Sequence, residues 1–260
     1  ETSNFCLKWF TENMMKANPT KFQFMVLERT KNDVTHVIDI QGNELSSIQS
    51  VKLLGVTLDC KLNYTEHTSK LCRTASRNLR IMRRVSSLMK GKAEKLAIVN
   101  AFVTSLFSYC PLIWHFCTVT STRKLEKIYE RSLRLVTNDY GSSYVELLTC
   151  LDCDTLALSR LKCLAILMYK CYHNLGPKYV KSFAKKDSHY ELRDELRVEL
   201  YKFKTKTYGY KTILYAGAKL WNSLPVSFKK SNDINDFRNN LKSWKCKVVN
   251  CMLCQSYMYH

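Results

Sequence analysis

TEHTSKLCRTASRNLRIMRRVSSLMK, Thr65 to Lys90, places its apolar residues at the three-to-four spacing of an amphipathic helix. On a wheel advancing 100° per residue, Leu71, Ala75, Leu79, Met82, Val85 and Met89 gather on one face. Lys70, Arg73, Arg77, Arg80 and Arg84 fall within an arc of about 80°, roughly 150° away from that face. One side is therefore expected to dock into a core while the other presents a row of cations. A charged helix face is ordinarily solvated and balanced by nearby acids. Between residues 70 and 93, however, there are eight basic residues and no acid, and their mutual repulsion calls for a polyanion. A helix near 121–138 repeats the arrangement: Arg123, Lys127, Arg131 and Arg134 lie on one side, and Leu125, Ile128, Leu135 and Val136 face away. Here Glu126 and Glu130 are available for local pairing.

Helical periodicity runs on from Tyr64 to about residue 183. It predicts helices at 142–150 and 154–174, and a short one after Gly176-Pro177. The most apolar stretch, Leu96 to Phe116, is interrupted by Asn100, Thr104, Ser105, Ser108 and Pro111, so it reads as a buried helix rather than a membrane span. Upstream the pattern differs. Residues 2–16 read as a helix stopped by Asn18-Pro19, and 21–27, 34–40 and 51–58 read as strands, with Gln41-Gly42-Asn43 as the turn between the last two. Residues 184–211 are polar and tyrosine-rich and read as an extended connection. Amphipathic segments follow at 212–223 and 233–249, separated by Leu224-Pro225. The class is α+β, divided into a β-containing part at 1–60, a helical part at 61–183 and a partly helical part at 184–260.

The composition agrees. The 260 residues contain 46% hydrophobic side chains, enough for a core, with only seven glycines and four prolines, where Gly and Pro together ordinarily make up about 12%. So few turn-formers disfavour a many-stranded sandwich or propeller. Lys and Arg number 41 against 22 Asp and Glu, giving a formal charge of +19, which favours an acidic partner, nucleic acid before anionic membrane. The 12 cysteines are scattered, several of them inside apolar helical runs (Cys110, Cys117, Cys163, Cys171). No basic start followed by an apolar stretch opens the chain, so reduced thiols in a nuclear or cytoplasmic protein are expected, not a secreted one. The chain opens on Glu1 and reads as beginning within a domain.

Catalytic constellations are sparse. Cys150-Leu151-Asp152-Cys153 and Cys251-Met252-Leu253-Cys254 are C-x-x-C pairs with Cys246 nearby, but they lie far apart in the chain and lack the close spacing of a zinc site. The six histidines form no H-x-x-x-H pair, and there is neither a glycine-rich phosphate loop nor a closely spaced aspartate pair for two Mg²⁺ ions. No catalytic residue, metal ligand, cofactor or small-molecule substrate is expected in this chain, and no membrane partner.

The strings Val51 to Asp59 (VKLLGVTLD), Asn18 to Phe22 (NPTKF), Lys124 to Ile128 (KLEKI) and Tyr215 to Pro225 (YAGAKLWNSLP) together resemble parts of non-LTR (LINE, jockey-like) retrotransposon reverse transcriptases. Val51-Lys52-Leu53-Leu54-Gly55-Val56-Thr57-Leu58-Asp59, with Leu62-Asn63-Tyr64 and His67, is similar to the stretch after their palm. Asn18-Pro19-Thr20-Lys21-Phe22 resembles their N-x-x-K-T turn and strand. Tyr109 to Trp114 and Lys124-Leu125-Glu126-Lys127-Ile128 are similar to the thumb. Met168-Tyr169-Lys170, Pro177-Lys178-Tyr179, Tyr190-Glu191-Leu192-Arg193 and the run Tyr215 to Pro225 (YAGAKLWNSLP) follow in the same order.

The resemblance implies that 1–60 is the end of the palm, 61–183 the thumb and 184–260 a carboxy-terminal extension. Lys21 would close motif D near the incoming nucleotide's phosphates. Leu54, Gly55 and Val56 would form the primer-grip turn of motif E, and the basic helices would lie against a template–primer RNA/DNA duplex. The family's metal-binding aspartates would fall upstream of Glu1, so Mg²⁺ belongs to the complete parent enzyme, and this part alone is expected to bind without polymerising. Its further partner would be the fingers and remaining palm of the same polymerase. A degenerate or co-opted relic acting as a protein-interaction module is the alternative expectation.

Overall fold

The computed structural model describes residues 2–27, 35–40, 42–176, 196–200, 202–205 and 209–244. The chain separates into two compact units, residues 1–67 and 68–260. The architecture is α+β: among the described residues it has helices and two separate antiparallel two-stranded sheets.

The first unit opens with α1 (Thr2–Glu12), shorter than the 2–16 expected from the sequence. Met14 adopts a left-handed φ of 55°, and the Met15 N–H donates back to the Phe10 carbonyl at 2.8 Å, closing the helix early. A 3-10 turn follows at Pro19–Lys21, capped by Asn18, whose side chain accepts from the Thr20 N–H at 3.0 Å. The strand expected over 21–27 is an extended segment without a ladder; its Phe24 carbonyl accepts from the Ile48 N–H at 2.9 Å.

β1 (Val37–Ile40) pairs with β2 (Asn43–Ser46), Ile40 opposite Asn43. The Gly42 turn therefore joins β1 to a strand too short and polar to be read in advance, not to the 51–58 segment. That segment, expected as one strand, is a hairpin of β3 (Ser50–Leu53) and β4 (Val56–Asp59). Leu54 and Gly55 make its two-residue turn with φ of 46° and 87°, the signs required by a turn that matches strand twist. Leucine is no turn-former, so the sequence shows only an apolar run. After β4 the Asp59 carboxylate gathers the N–H groups of Lys61 (3.2 Å), Asn63 (3.0 Å) and Tyr64 (2.6 Å), and leads into α2 (Thr65–Val85). The buried His67 Nδ1 accepts from the Thr57 N–H at 3.3 Å.

The unit boundary falls within α2, between His67 and Thr68. Beyond it come a 3-10 turn at Ser86–Leu88, α3 (Lys92–Val99), a π-helical stretch at Asn100–Thr104 and α4 (Ser105–Ser108). The helix expected over 96–116 thus ends at Ser108; Cys110 takes a left-handed φ of 45° and Pro111 follows. Trp114 is still fully buried beyond it.

Next are α5 (Val119–Thr137), α6 (Tyr144–Cys150) and α7 (Leu156–Tyr172). Each starts where its sequence offers a cap: the side chains of Thr118, Ser143 and Thr155 accept from N–H groups three residues on. α5 ends on left-handed Asn138.

The remaining core is built by α7 with α8 (Ile213–Ser223) and α10 (Ile234–Ser243), the short α9 (Val226–Lys229) following Pro225. Tyr169 stacks on Phe237 at 4.5 Å between ring centres. A side chain at Gly217 would come within 2.5 Å of the Met168 sulfur, so only glycine fits there without that side chain moving. The Asn222 amide accepts from the Val198 N–H (3.0 Å) and donates to its carbonyl (2.9 Å), imitating a strand partner for 196–200. The expected short helix after Gly176-Pro177, most of the 184–211 connection and the end of the 233–249 helix lie outside the described residues.

Candidate nucleic-acid interface

The face that α2 buries explains the face it shows. Thr68, Ala75, Leu79 and Met82 are buried. The Thr68 hydroxyl donates to the Ser121 Oγ of α5 at 3.0 Å, and the Asn78 amide donates to the Phe102 carbonyl at 2.8 Å. These contacts fix the rotation of the helix, and with it the opposite side. Lys70, Arg73, Arg77, Arg80 and Arg84 are all exposed. Among the described residues no carboxylate pairs with Arg73, Arg77, Arg80 or Arg84. Arg73, Arg77 and Arg80 line one open hollow of about 440 Å³ with Cys72, Thr74 and Ser76.

On α5, Arg123, Lys127 and Arg131 are exposed. Arg134 is half-buried and engaged: its Nη2 and Nε donate to Glu130 Oε1 at 2.7 and 3.2 Å. Glu126 is turned away from the stripe. It accepts from the Tyr144 hydroxyl (2.6 Å) and from the Ala157 N–H (2.9 Å) at the start of α7. Burial foremost, and then the Glu126 charge, push the Tyr144 phenol above its ordinary value.

Two further exposed cations lie on these helices outside the rows singled out in the sequence, Arg83 on α2 and Lys124 on α5. Arg83 falls outside the arc of the row, and only the absence of acids around it marks it. Lys124 lies close enough to Cys72 for its charge to oppose the burial that raises that thiol. The start of α5 is thus a neighbour of the basic helix.

In the first unit, Lys21 is exposed at the end of its 3-10 turn. At the β3–β4 turn Leu54 is 83% exposed and Val56 only 3%. The turn therefore offers an apolar tip anchored by the strand residue behind it.

Among the described residues, no group of three or more His, Cys, Asp or Glu side chains could hold a metal ion, and no helix is long and apolar enough to cross a membrane. The described cysteines are free thiols; Cys246, Cys251 and Cys254 lie outside the described residues.

No family model matches the chain, and no solved structure matches it. A Drosophila melanogaster protein, the probable RNA-directed DNA polymerase from transposon BS, is 25% identical over 138 residues, 52% of this chain. The matched part covers 15% of that relative's length. By this match the chain is a distant relative of a reverse transcriptase.

Proposed function

We propose that this chain is the template–primer-holding part of an RNA-directed DNA polymerase of the non-LTR retrotransposon kind. In this reading α2, with α5 beside it, is the thumb surface that lies along an RNA/DNA duplex. The supporting observation is the row Lys70, Arg73, Arg77, Arg80 and Arg84, every member exposed on a helix whose other side is committed to the core. Such a row neutralises successive phosphates and releases their counterions. The exposed Leu54 tip then serves as the primer grip, and Lys21 approaches the incoming nucleotide. Chemistry with Mg²⁺ belongs to carboxylates elsewhere in the complete polymerase, and the chain alone binds without extending a primer.

The test is fluorescence anisotropy of a labelled RNA/DNA hybrid across a salt series. Five phosphate contacts give a slope of log affinity against log salt of about −4.5. The triple variant R73E/R77E/R80E should lose at least a hundredfold in affinity, and the unsubstituted chain should add no nucleotides to a primer when supplied with Mg²⁺. A flat salt dependence, or binding unchanged in the triple variant, would refute the reading.

A second reading has its own observation. In the first unit Phe5 (71% exposed), Trp9 (49%), Met14 (98%) and Leu54 (83%) place apolar surface in water, as a protein-docking module would. Sedimentation without nucleic acid separates the two, because salt-insensitive self-association favours docking.

A further inference from the structure

The carboxy-terminal end of α2 and the 3-10 turn after it carry Arg83-Arg84-Val85-Ser86-Ser87. Two arginines just ahead of a serine are what an arginine-directed serine kinase reads, through guanidinium–carboxylate pairs in its own cleft. The sequence offers two acceptors here and a third at Ser76, which follows Arg73 by three residues. The three sites differ in structure. Ser76 sits in the middle of a 21-residue helix, where no extended backbone can be presented. The Ser86 hydroxyl is committed, donating to the Arg83 carbonyl at 2.7 Å. Ser86 also lines a tight hollow with Met82, Met89, Val99 and Leu135.

Ser87 is exposed, Arg84 precedes it by three residues and Arg83 by four, and both arginines are exposed. Its 3-10 turn is closed by a long bond, Met89 N–H to the Ser86 carbonyl at 3.3 Å, and Leu88 beside it is 81% exposed. A turn held so weakly opens at low cost.

We propose that Ser87 is a phosphorylation site for an arginine-directed serine kinase, and that its phosphate switches the neighbouring cation row off. In the transfer, the Ser87 oxygen attacks the γ-phosphorus of ATP. The bond to the bridging oxygen breaks, ADP leaves, and the hydroxyl proton passes to the kinase's base. The product carries close to two negative charges within one helical turn of Arg83 and Arg84. These charges offset the end of the row and oppose the helix dipole at its carboxy terminus. The switching half of the proposal rests on the duplex-binding reading of α2; the acceptor assignment does not.

The full chain is incubated with ATP and a purified arginine-directed kinase, then mapped by mass spectrometry without nucleic acid. One phosphoryl group on Ser87 is expected, abolished in S87A, retained in S86A and slowed about tenfold or more in R84Q. Phosphate on Ser86 or Ser76 instead, or none, overturns the assignment. The phosphorylated and unmodified chains are then compared on the same hybrid duplex, where binding about tenfold weaker and a salt slope shallower by about 2 are expected. Equal binding overturns the switch while leaving the duplex reading intact. Failure of the unmodified chain to bind overturns both the switch and that reading, while the mass result still decides the acceptor.

Discussion

Glu126 is an acid on a basic helix that spends its charge inward. It accepts from Tyr144 and from the first N–H groups of α7, where a carboxylate also suits the positive end of the helix. Replacing it with alanine should cost about 2–3 kcal/mol, and with glutamine about 1 kcal/mol, because charged hydrogen bonds exceed neutral ones; urea denaturation reads both. His115 makes a second prediction. Burial, aided by the Arg160 charge, holds its imidazole down to about 3, against about 6.5 in an unfolded chain. Below pH 6.5 the unfolded chain takes up a proton that the fold excludes. The stability this neutral ring allows is therefore complete above 6.5 and lost as pH falls towards 3, by up to about 1.4 kcal/mol per unit. The urea midpoint should drop from pH 7 to pH 5, and less so in H115Q.

At the scale of elements, legibility follows periodicity and caps. Twenty-one residues of α2 announce themselves because the apolar spacing is sustained and, from Lys70 onward, the opposite face carries a row of cations with no acid among them. Thr118, Ser143, Thr155, Thr212 and Asp233 each sit at the start of a helix and accept from its first N–H groups. What stays hidden depends on backbone geometry that residue type does not advertise. Met14, Leu54 and Cys110 take left-handed φ values that nothing about those side chains requests, so the sequence misplaces the end of α1, the β3–β4 turn and the end of α4. At the candidate interface, the exposure of the α2 row is legible, whereas the capture of Arg134 by Glu130 shows in the sequence only as one option among several. The hairpin turn can be tested directly. Asparagine enters the left-handed region at less cost than leucine, so L54N should stabilise the β3–β4 hairpin by about 1 kcal/mol, seen as slower hydrogen exchange at the Leu53 and Val56 amides, which face each other across the turn.

For the whole molecule, a formal charge of +19 sets two salt dependences of opposite sign. Added salt screens the repulsion between cations in the folded chain. Between about 50 and about 500 mM NaCl the screening length falls from roughly 14 to roughly 4 Å. The melting temperature should therefore rise over that range by about 3 °C, equivalent to about 1 kcal/mol. On the proposed duplex-binding reading, duplex affinity should fall over the same range. Differential scanning fluorimetry with and without duplex separates the two, since duplex should raise the melting temperature most at low salt. The row on α2 gives this a further meaning. A ligand that binds only the folded chain adds stability in proportion to its occupancy, about 2.7 kcal/mol at a hundred times its dissociation constant. An unoccupied copy then unfolds more often than an occupied one and meets proteases more often in the unfolded state. In the proposed duplex-binding reading, the α2 face would couple the protein's lifetime to its cargo: copies left without a duplex would be the first to be cleared.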